Sequence, residues 1–257
     1  MTDSERFDLQ FHVDELTRNP ERRLAFDADS PDAVFHWQSQ LRSIITRVLG
    51  LEGRTRLQPV ASEWLAAVKR EGYTEEKYAV SVGEGIRAPV YMLVPDREPP
   101  FKPIVVFHGH NPNVQFILGN YPSEDIARDK RAKDNNYAQA LAQAGYLVCA
   151  VEQRGFGERQ STQWPGAERS CRHQAFNYMM AGRTLIGERV WDGMYAIDFL
   201  TQRADIVPNR LGCTGNSGGG TTALWLSALD ERITVSVPSC YLCSFYASIG
   251  SLFHCEC

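Results

Sequence analysis

The chain of 257 residues is 43% hydrophobic and 23% charged, a balance that excludes a disordered, collagenous or membrane-spanning polypeptide. Its 27 basic and 31 acidic side chains leave a formal charge of -4 with no long like-charged run, so neither nucleic acid nor an anionic membrane is expected as a partner. The polar, acidic start Met1 to Asp8 lacks the basic flank and apolar run of a secretory signal. Seven cysteines, an odd number in a chain long enough to form its own core, point to reduced thiols and a cytoplasmic location.

From Ser30 to Leu49 the residues Phe35, Leu41, Ile44, Ile45, Val48 and Leu49 recur at helical spacing, entered through Ser30-Pro31-Asp32 and ended by Gly50 and Gly53. Residues 1–75 show no strand signal and are read as a helical N-terminal extension; residues 76–257 are read as the main domain. Lys77 to Val82 alternates with a strand period, Gly83-Glu84-Gly85 reads as a turn and Ala88 to Val94 is a second β-rich run, which together predict a hairpin. Pro103 to Phe107 is a short apolar run of the kind buried in parallel sheets. The pattern then alternates: helical at Ala132 to Ala144, strand at Tyr146 to Val151, helical at Glu188 to Gln202, strand at Leu211 to Thr214, helical at Gly218 to Leu229, strand at Ile233 to Val237. This predicts an α/β fold, a mostly parallel sheet with helices on both faces. In such a sheet a ligand sits beyond the carboxyl ends of the strands, in the loops after Phe107, Val151, Thr214 and Val237.

One of these loops is Gly215-Asn216-Ser217-Gly218-Gly219-Gly220, a Gly-x-Ser-x-Gly between a strand and a helix. A tight turn there lifts the Ser217 hydroxyl out of the backbone as a candidate nucleophile. Gly215, Asn216 and Gly219 build the elbow, and the Gly218 amide at the helix start can donate to a developing oxyanion. A phosphate-binding loop is disfavoured because no lysine follows the glycines. A second loop is His108-Gly109-His110-Asn111, where the His110 amide is the candidate second oxyanion donor; a metal pair at His108 and His110 is disfavoured because no acidic or thiol ligand lies at a matching spacing. The third loop, Glu152 to Glu158, is polar and glycine-rich, and an ion pair between Arg154 and Glu158 is its preferred reading. Trp164, Phe176, Tyr178 and Trp191 are read as core in preference to a sugar-binding cleft.

Four motifs carry a resemblance: Val106-Phe107-His108-Gly109-His110, Glu152-Gln153-Arg154-Gly155-Phe156-Gly157, Trp191-Asp192 ahead of Ala196 to Leu200, and Arg210 to Gly219. From about Tyr78 onward the chain resembles the α/β-hydrolases, and within them the dienelactone-hydrolase-like branch with its acetyl xylan esterases and cephalosporin C deacetylases. The resemblance implies carboxylic-ester hydrolysis with no cofactor and no metal, on a small-molecule ester and often on acetyl groups of sugars or other small alcohols. Ser217 would be the nucleophile, with the amides of His110 and Gly218 as oxyanion donors.

A serine needs a histidine base, and the histidine a carboxylate. In this fold both follow the serine, after two later strands, whereas His254 is the only histidine after Ser217 and stands ahead of that place. His12 and His36 lie in the extension and His173 in a polar connector. The chain is therefore expected to be the front part of a longer hydrolase, with residues 76–257 a hydrolase core lacking its last strands. The last predicted strand would then be an unprotected edge, inviting self-association or a missing C-terminal segment. Cys240 and Cys243, with His254, Cys255 and Cys257, have zinc-like spacing, but packing is the preferred reading. Three functions stay open: a short-acyl esterase, a serine peptidase of the prolyl-oligopeptidase type, and a non-catalytic binding protein on the same fold.

Overall fold

The computed structural model describes residues 7–18 and 21–248, which fall into two compact units: residues up to 45 with 243–248, and residues 46–242. The first unit holds α1 (Leu9–Arg18), the start of α2 (Pro31–Val48) and α8 (Phe245–Ser248). The predicted entry of α2 is observed, the Ala33 N–H donating to Ser30 Oγ at 3.3 Å, with Pro31 in the first turn where its missing N–H costs nothing. Trp37 closes the preceding loop, its Nε1 donating to the Leu24 carbonyl at 3.1 Å.

The second unit is built on seven strands in the order β1-β2-β3-β5-β4-β6-β7. These are β1 (Ser62–Arg70), β2 (Tyr73–Ser81), β3 (Arg87–Pro95), β4 (Pro103–Phe107), β5 (Leu147–Val151), β6 (Leu211–Asn216) and β7 (Ile233–Ser239). Strands β1, β2, β3 and β5 pair antiparallel, while β5, β4, β6 and β7 pair parallel. The predicted hairpin is β2–β3. Its turn puts Gly83, Glu84 and Gly85 all at positive φ, and the Val82 N–H donates to the Ile86 carbonyl at 3.1 Å across it.

Three segments differ from the sequence reading. Residues 62–70 are strand, not helix, so the sheet begins inside the stretch read as the extension. Their Glu, Ala and Lys residues favour helix locally, but β2 offers a full antiparallel partner from Ser62↔Val80 to Arg70↔Tyr73. The helix predicted at 132–144 is shorter: α3 (Glu124–Arg131) precedes α4 (Tyr137–Gln143), and Asp134 at φ 50° interrupts the path between them. Finally, the connector containing His173 is α5 (Ala167–Met180).

Both faces of the sheet are covered over β3, β5 and β4. On one face Tyr91, Leu93, Val106, Val148 and Ala150 pack with Ala138 and Ala142 of α4 and with Val114, Ile117 and Leu118 of the loop after β4. On the other, α6 (Leu185–Thr201) and α7 (Gly218–Leu229) meet over Phe107, close enough that a Cβ on Gly193 would stand 2.7 Å from Leu226 Cδ2 and 3.0 Å from Phe107 Cζ. Helix α6 is buried from Gly187 to Leu200. Trp191 is core as expected, its Nε1 bonded to the Val82 carbonyl, whereas Trp164 and Phe176 are about half exposed. At the end of the strand order β7 leaves Val235 and Val237 on the surface.

The start of α6 is pinned by Thr184, whose Oγ1 accepts from the Gly187 N–H at 3.0 Å and donates to the Leu49 carbonyl at 3.1 Å. A Cβ on Gly187 would overlap that carbonyl. Gly187→Ala is expected to cost about 1–3 kcal/mol of stability by overpacking, outweighing about 1 kcal/mol of gained helix propensity, and to appear as a lower urea midpoint at unchanged slope.

Candidate active site

Strand β4 is flanked by β5 on one side and β6 on the other, so the chain reverses its direction of winding there and the carboxyl ends of three strands open onto one crevice. Ser217 stands in that crevice between β6 and α7, exposed, at φ 54° and ψ -119°. Positive φ is unfavourable for a residue with a Cβ. The turn is held by the Ser217 N–H, which donates to the Ser239 carbonyl at 2.9 Å, and by the Thr221 N–H, which donates to the Ser217 carbonyl at 2.9 Å. The Ser217 hydroxyl makes no capping bond to α7.

The glycines around it are dictated by close approach. A Cβ on Gly219 would fall against the Phe107 carbonyl, and one on Gly215 would fall against the Gly219 carbonyl. The loop after β4 runs alongside: a Cβ on Gly109 would stand 2.8 Å from the Asn216 carbonyl oxygen and 3.3 Å from Ser217 Cβ. The His110 ring lies over the elbow, with Cε1 and Nδ1 at 3.0 and 3.2 Å from where a Gly218 Cβ would be. The structure thus brings Gly109, His110, Asn216, Ser217 and Gly218 together.

His108 is different in kind. It is fully buried, its Nδ1 lies 2.8 Å from the Gly109 carbonyl, and its Nε2 is met by the Gln153 N–H and by Glu152 Oε1, both at 3.1 Å. Both ring nitrogens are engaged inside the protein. Phe156, buried, presents its edge or face to both histidines at 5.1 and 5.3 Å. His12, His36 and His173 lie on α1, α2 and α5, and His254 is outside the described residues.

The expected ion pair of Arg154 with Glu158 is not formed. Glu158 faces the hairpin, accepting from Lys77 Nζ at 2.6 Å. Arg154 turns inward and grips Asp192 with two nitrogens at 2.9 and 2.7 Å, while its Nη1 lies 2.6 Å from Glu188 and donates to the Tyr178 hydroxyl at 2.7 Å. Arg159 joins Asp192 at 2.5 Å, and Arg54 joins Glu188 at 2.7 Å. The sequence reading missed this network because α5 and α6 bring the partners together from 24 to 134 residues away. Burial alone would raise the Asp192 carboxyl, but the guanidiniums of Arg159 and Arg154 hold it below the ordinary carboxylate value.

Beyond the loop after β4, Pro112, Asn113, Phe116, Asn120, Tyr121 and Arg131 help to line a cavity of ≈ 870 Å³. The Oδ1 of Asn113 and the hydroxyl of Tyr121 are buried there without a hydrogen-bond partner. Burial pushes the Cys149 and Cys213 thiols up to about 12, which leaves them unreactive. Cys240 and Cys243 are free and exposed. Among the described residues no cluster has the makings of a metal site, and no helix is long and apolar enough to cross a membrane.

A mostly parallel sheet with a serine on the strand-to-helix turn beside its central strand defines the α/β-hydrolase fold. The chain belongs to the Abhydrolase family, whose model matches residues 10–249. It is 30% identical over 205 residues to "Putative hydrolase YtaP" of Bacillus subtilis (strain 168), covering 79% of this chain and 64% of that protein. Its fold is similar to a "putative acetyl xylan esterase" from Bacteroides fragilis NCTC 9343 (22% identity, TM-score 0.74, 88% of this chain and 59% of that one). It is also similar to a glucuronoyl esterase from Solibacter usitatus (16% identity, TM-score 0.56, 81% and 59%).

Because the Asp192 carboxyl is lowered in the folded state, its contribution to stability is present above the ordinary carboxylate value and is lost as pH falls below about 4. Asp192→Asn leaves two arginines facing a neutral amide and is expected to cost about 3–5 kcal/mol at pH 7. Urea midpoints from pH 7 to pH 3 should fall more steeply for the parent than for the variant.

Proposed function

We propose that this chain is a carboxylic-ester hydrolase for short acyl groups, with Ser217 as nucleophile and the amides of Gly218 and His110 as oxyanion donors. The carrying observation is the exposed Ser217 hydroxyl, at positive φ and unused in capping, beside both the start of α7 and the loop after β4. In the reaction Ser217 Oγ bonds to the ester carbon and passes its proton to a base, the carbonyl oxygen becomes an oxyanion, and the alcohol leaves with that proton. Water then repeats the sequence on the acyl-serine and releases the acid.

The Gly218 amide suits its role because the first helical N–H groups lack intrahelical partners and the helix dipole favours negative charge there. We place the base and its carboxylate outside the described residues: His108 is committed, His12, His36 and His173 lie on α1, α2 and α5, and His110, whose ring lies over the elbow, is assigned here as an oxyanion donor through its amide. The His110 ring over Gly218 restricts the space at the elbow, in keeping with a small acyl group. The hydrolase name of the 30% identical relative, and the esterase names of proteins with this fold, are in keeping with the reading.

For the alcohol portion we assign the cavity that continues from the loop after β4. Its guanidiniums are already paired, Arg131 with Glu124 and Arg70 with Glu75, which leaves the aromatic rings of Phe116 and Tyr121 and the unpartnered Asn113 Oδ1 and Tyr121 hydroxyl to meet a neutral polar group.

Intact mass before and after a fluorophosphonate probe is expected to show one adduct, absent from Ser217→Ala; an unmodified parent protein would overturn the serine mechanism. Tyr121→Phe is expected to raise KM for a polyol acetate a few-fold while leaving KM for an aryl acetate unchanged. Equal KM changes for both esters would remove the cavity from the substrate path.

A further inference from the structure

The two proposed oxyanion donors sit on separate loops, and the sheet does not tie those loops together. The β4–β6 ladder ends at the pair Phe107↔Gly215, before His110 on one side and Gly218 on the other. From β5, across β4, Gln153 reaches both. Its N–H donates to His108 Nε2 at 3.1 Å, its side-chain amide nitrogen donates to the His108 carbonyl, and its Oε1 accepts from Thr222 Oγ1 at 2.6 Å. Thr222 is one turn into α7, and its Oγ1 also lies 3.2 Å from the carbonyl of Gly218. Gln153, His108 and Thr222 are 2%, 0% and 0% exposed.

We infer that Gln153 is a positioning residue that sets the spacing between the His110 and Gly218 amides by clamping the loop after β4 to the first turn of α7. An amide is the side chain that does this, because one end must donate to a carbonyl and the other must accept from a hydroxyl. A carboxylate could hold Thr222 but would turn an acceptor toward the His108 carbonyl, and leucine would fill the space and hold neither. Buried polar groups are costly unless fully paired, and here the pairing runs through the elements that carry the proposed oxyanion hole. Oxyanion stabilisation depends on donors already aimed at the place where charge develops, so loosening the clamp should act on the chemical step more than on substrate binding.

The inference rests on the serine-esterase reading, and the test separates the two. The parent protein, Gln153→Leu, Gln153→Glu and Thr222→Val are compared at equal distances below their own melting temperatures. Three quantities are followed: aryl acetate kcat and KM, the rate of fluorophosphonate labelling at Ser217, and amide hydrogen exchange over residues 108–111 and 217–219. A displacement of about 1 Å costs on the order of a hundredfold in rate, so Gln153→Leu and Gln153→Glu are expected to lower kcat and labelling by roughly that factor, with KM changed less than about threefold. Thr222→Val, which removes one bond at nearly constant shape, should show a smaller loss of the same kind. Exchange should quicken in both loops.

Unchanged kcat and labelling in Gln153→Leu would overturn the inference, as would exchange that quickens in only one loop. A parent protein that neither labels at Ser217 nor hydrolyses the ester would overturn the serine reading instead. The exchange data would still decide whether Gln153 holds the two loops together. Should Gln153→Leu not fold, Thr222→Val with normal kcat and normal exchange would overturn the clamp.

Discussion

The first turn of α7 lies so close to the ends of β4 and β6 that no side chain fits between them. Gly219 meets the Phe107 carbonyl and Gly215 meets Gly219, so the helix begins on the strand ends and not at the end of a longer loop. Much of the crevice follows from this contact. The residue between strand and helix must turn through positive φ, which points Ser217 outward. The free N–H groups of the helix start are brought beside the loop that leaves β4, and Gly109 must itself be a glycine because it passes the Asn216 carbonyl. A methyl group at any of these positions would push the layers apart by a distance that matters for hydrogen bonding.

Electrostatics fixes the third wall. The loop after β5 leaves the sheet with Glu152, Gln153 and Arg154, all buried, and each is spent on holding the loop in place. Glu152 accepts from the Val114 N–H at 3.0 Å, Gln153 binds the loop after β4 and helix α7, and Arg154 joins α5 and α6 through Tyr178, Glu188 and Asp192. Such a network is weak evidence for net stability, since desolvation offsets much of the attraction. It is strong as a directional constraint, because any member left unpaired carries the full cost of a buried charge. The loop therefore has one low-energy position, and Phe156 is held against His108 and His110 by it.

The far side of the sheet is different. Strand β7 presents Val235 and Val237 to solvent and ends the strand order of the described residues, and the chain spans 64% of the length of the relative it matches at 30% identity. His108 and Gln153 lie buried where β5 and β4 are covered, while Ser217 is exposed and tied to β7 through the Ser239 carbonyl.

The parallel strands, the β2–β3 hairpin and the Gly-x-Ser-x-Gly turn were legible from residue pattern because each is a local property: an apolar run of strand length, glycines at a turn, a serine bracketed by glycines. Strand β1 was not, since its composition favours helix and only pairing with β2 makes it a strand. The partner of Arg154 was not legible either. A nearby glutamate in sequence, Glu158, was outcompeted by Asp192 and Glu188, which α6 presents from within the core. Sequence alone determined which residue types could do chemistry and on which loops they lay. Tertiary structure alone decided that His108 is consumed in the interior while His110 faces the elbow, and that Gln153 joins His108 to Thr222 of α7, because such assignments depend on distances across strands adjacent in space and far apart in the chain.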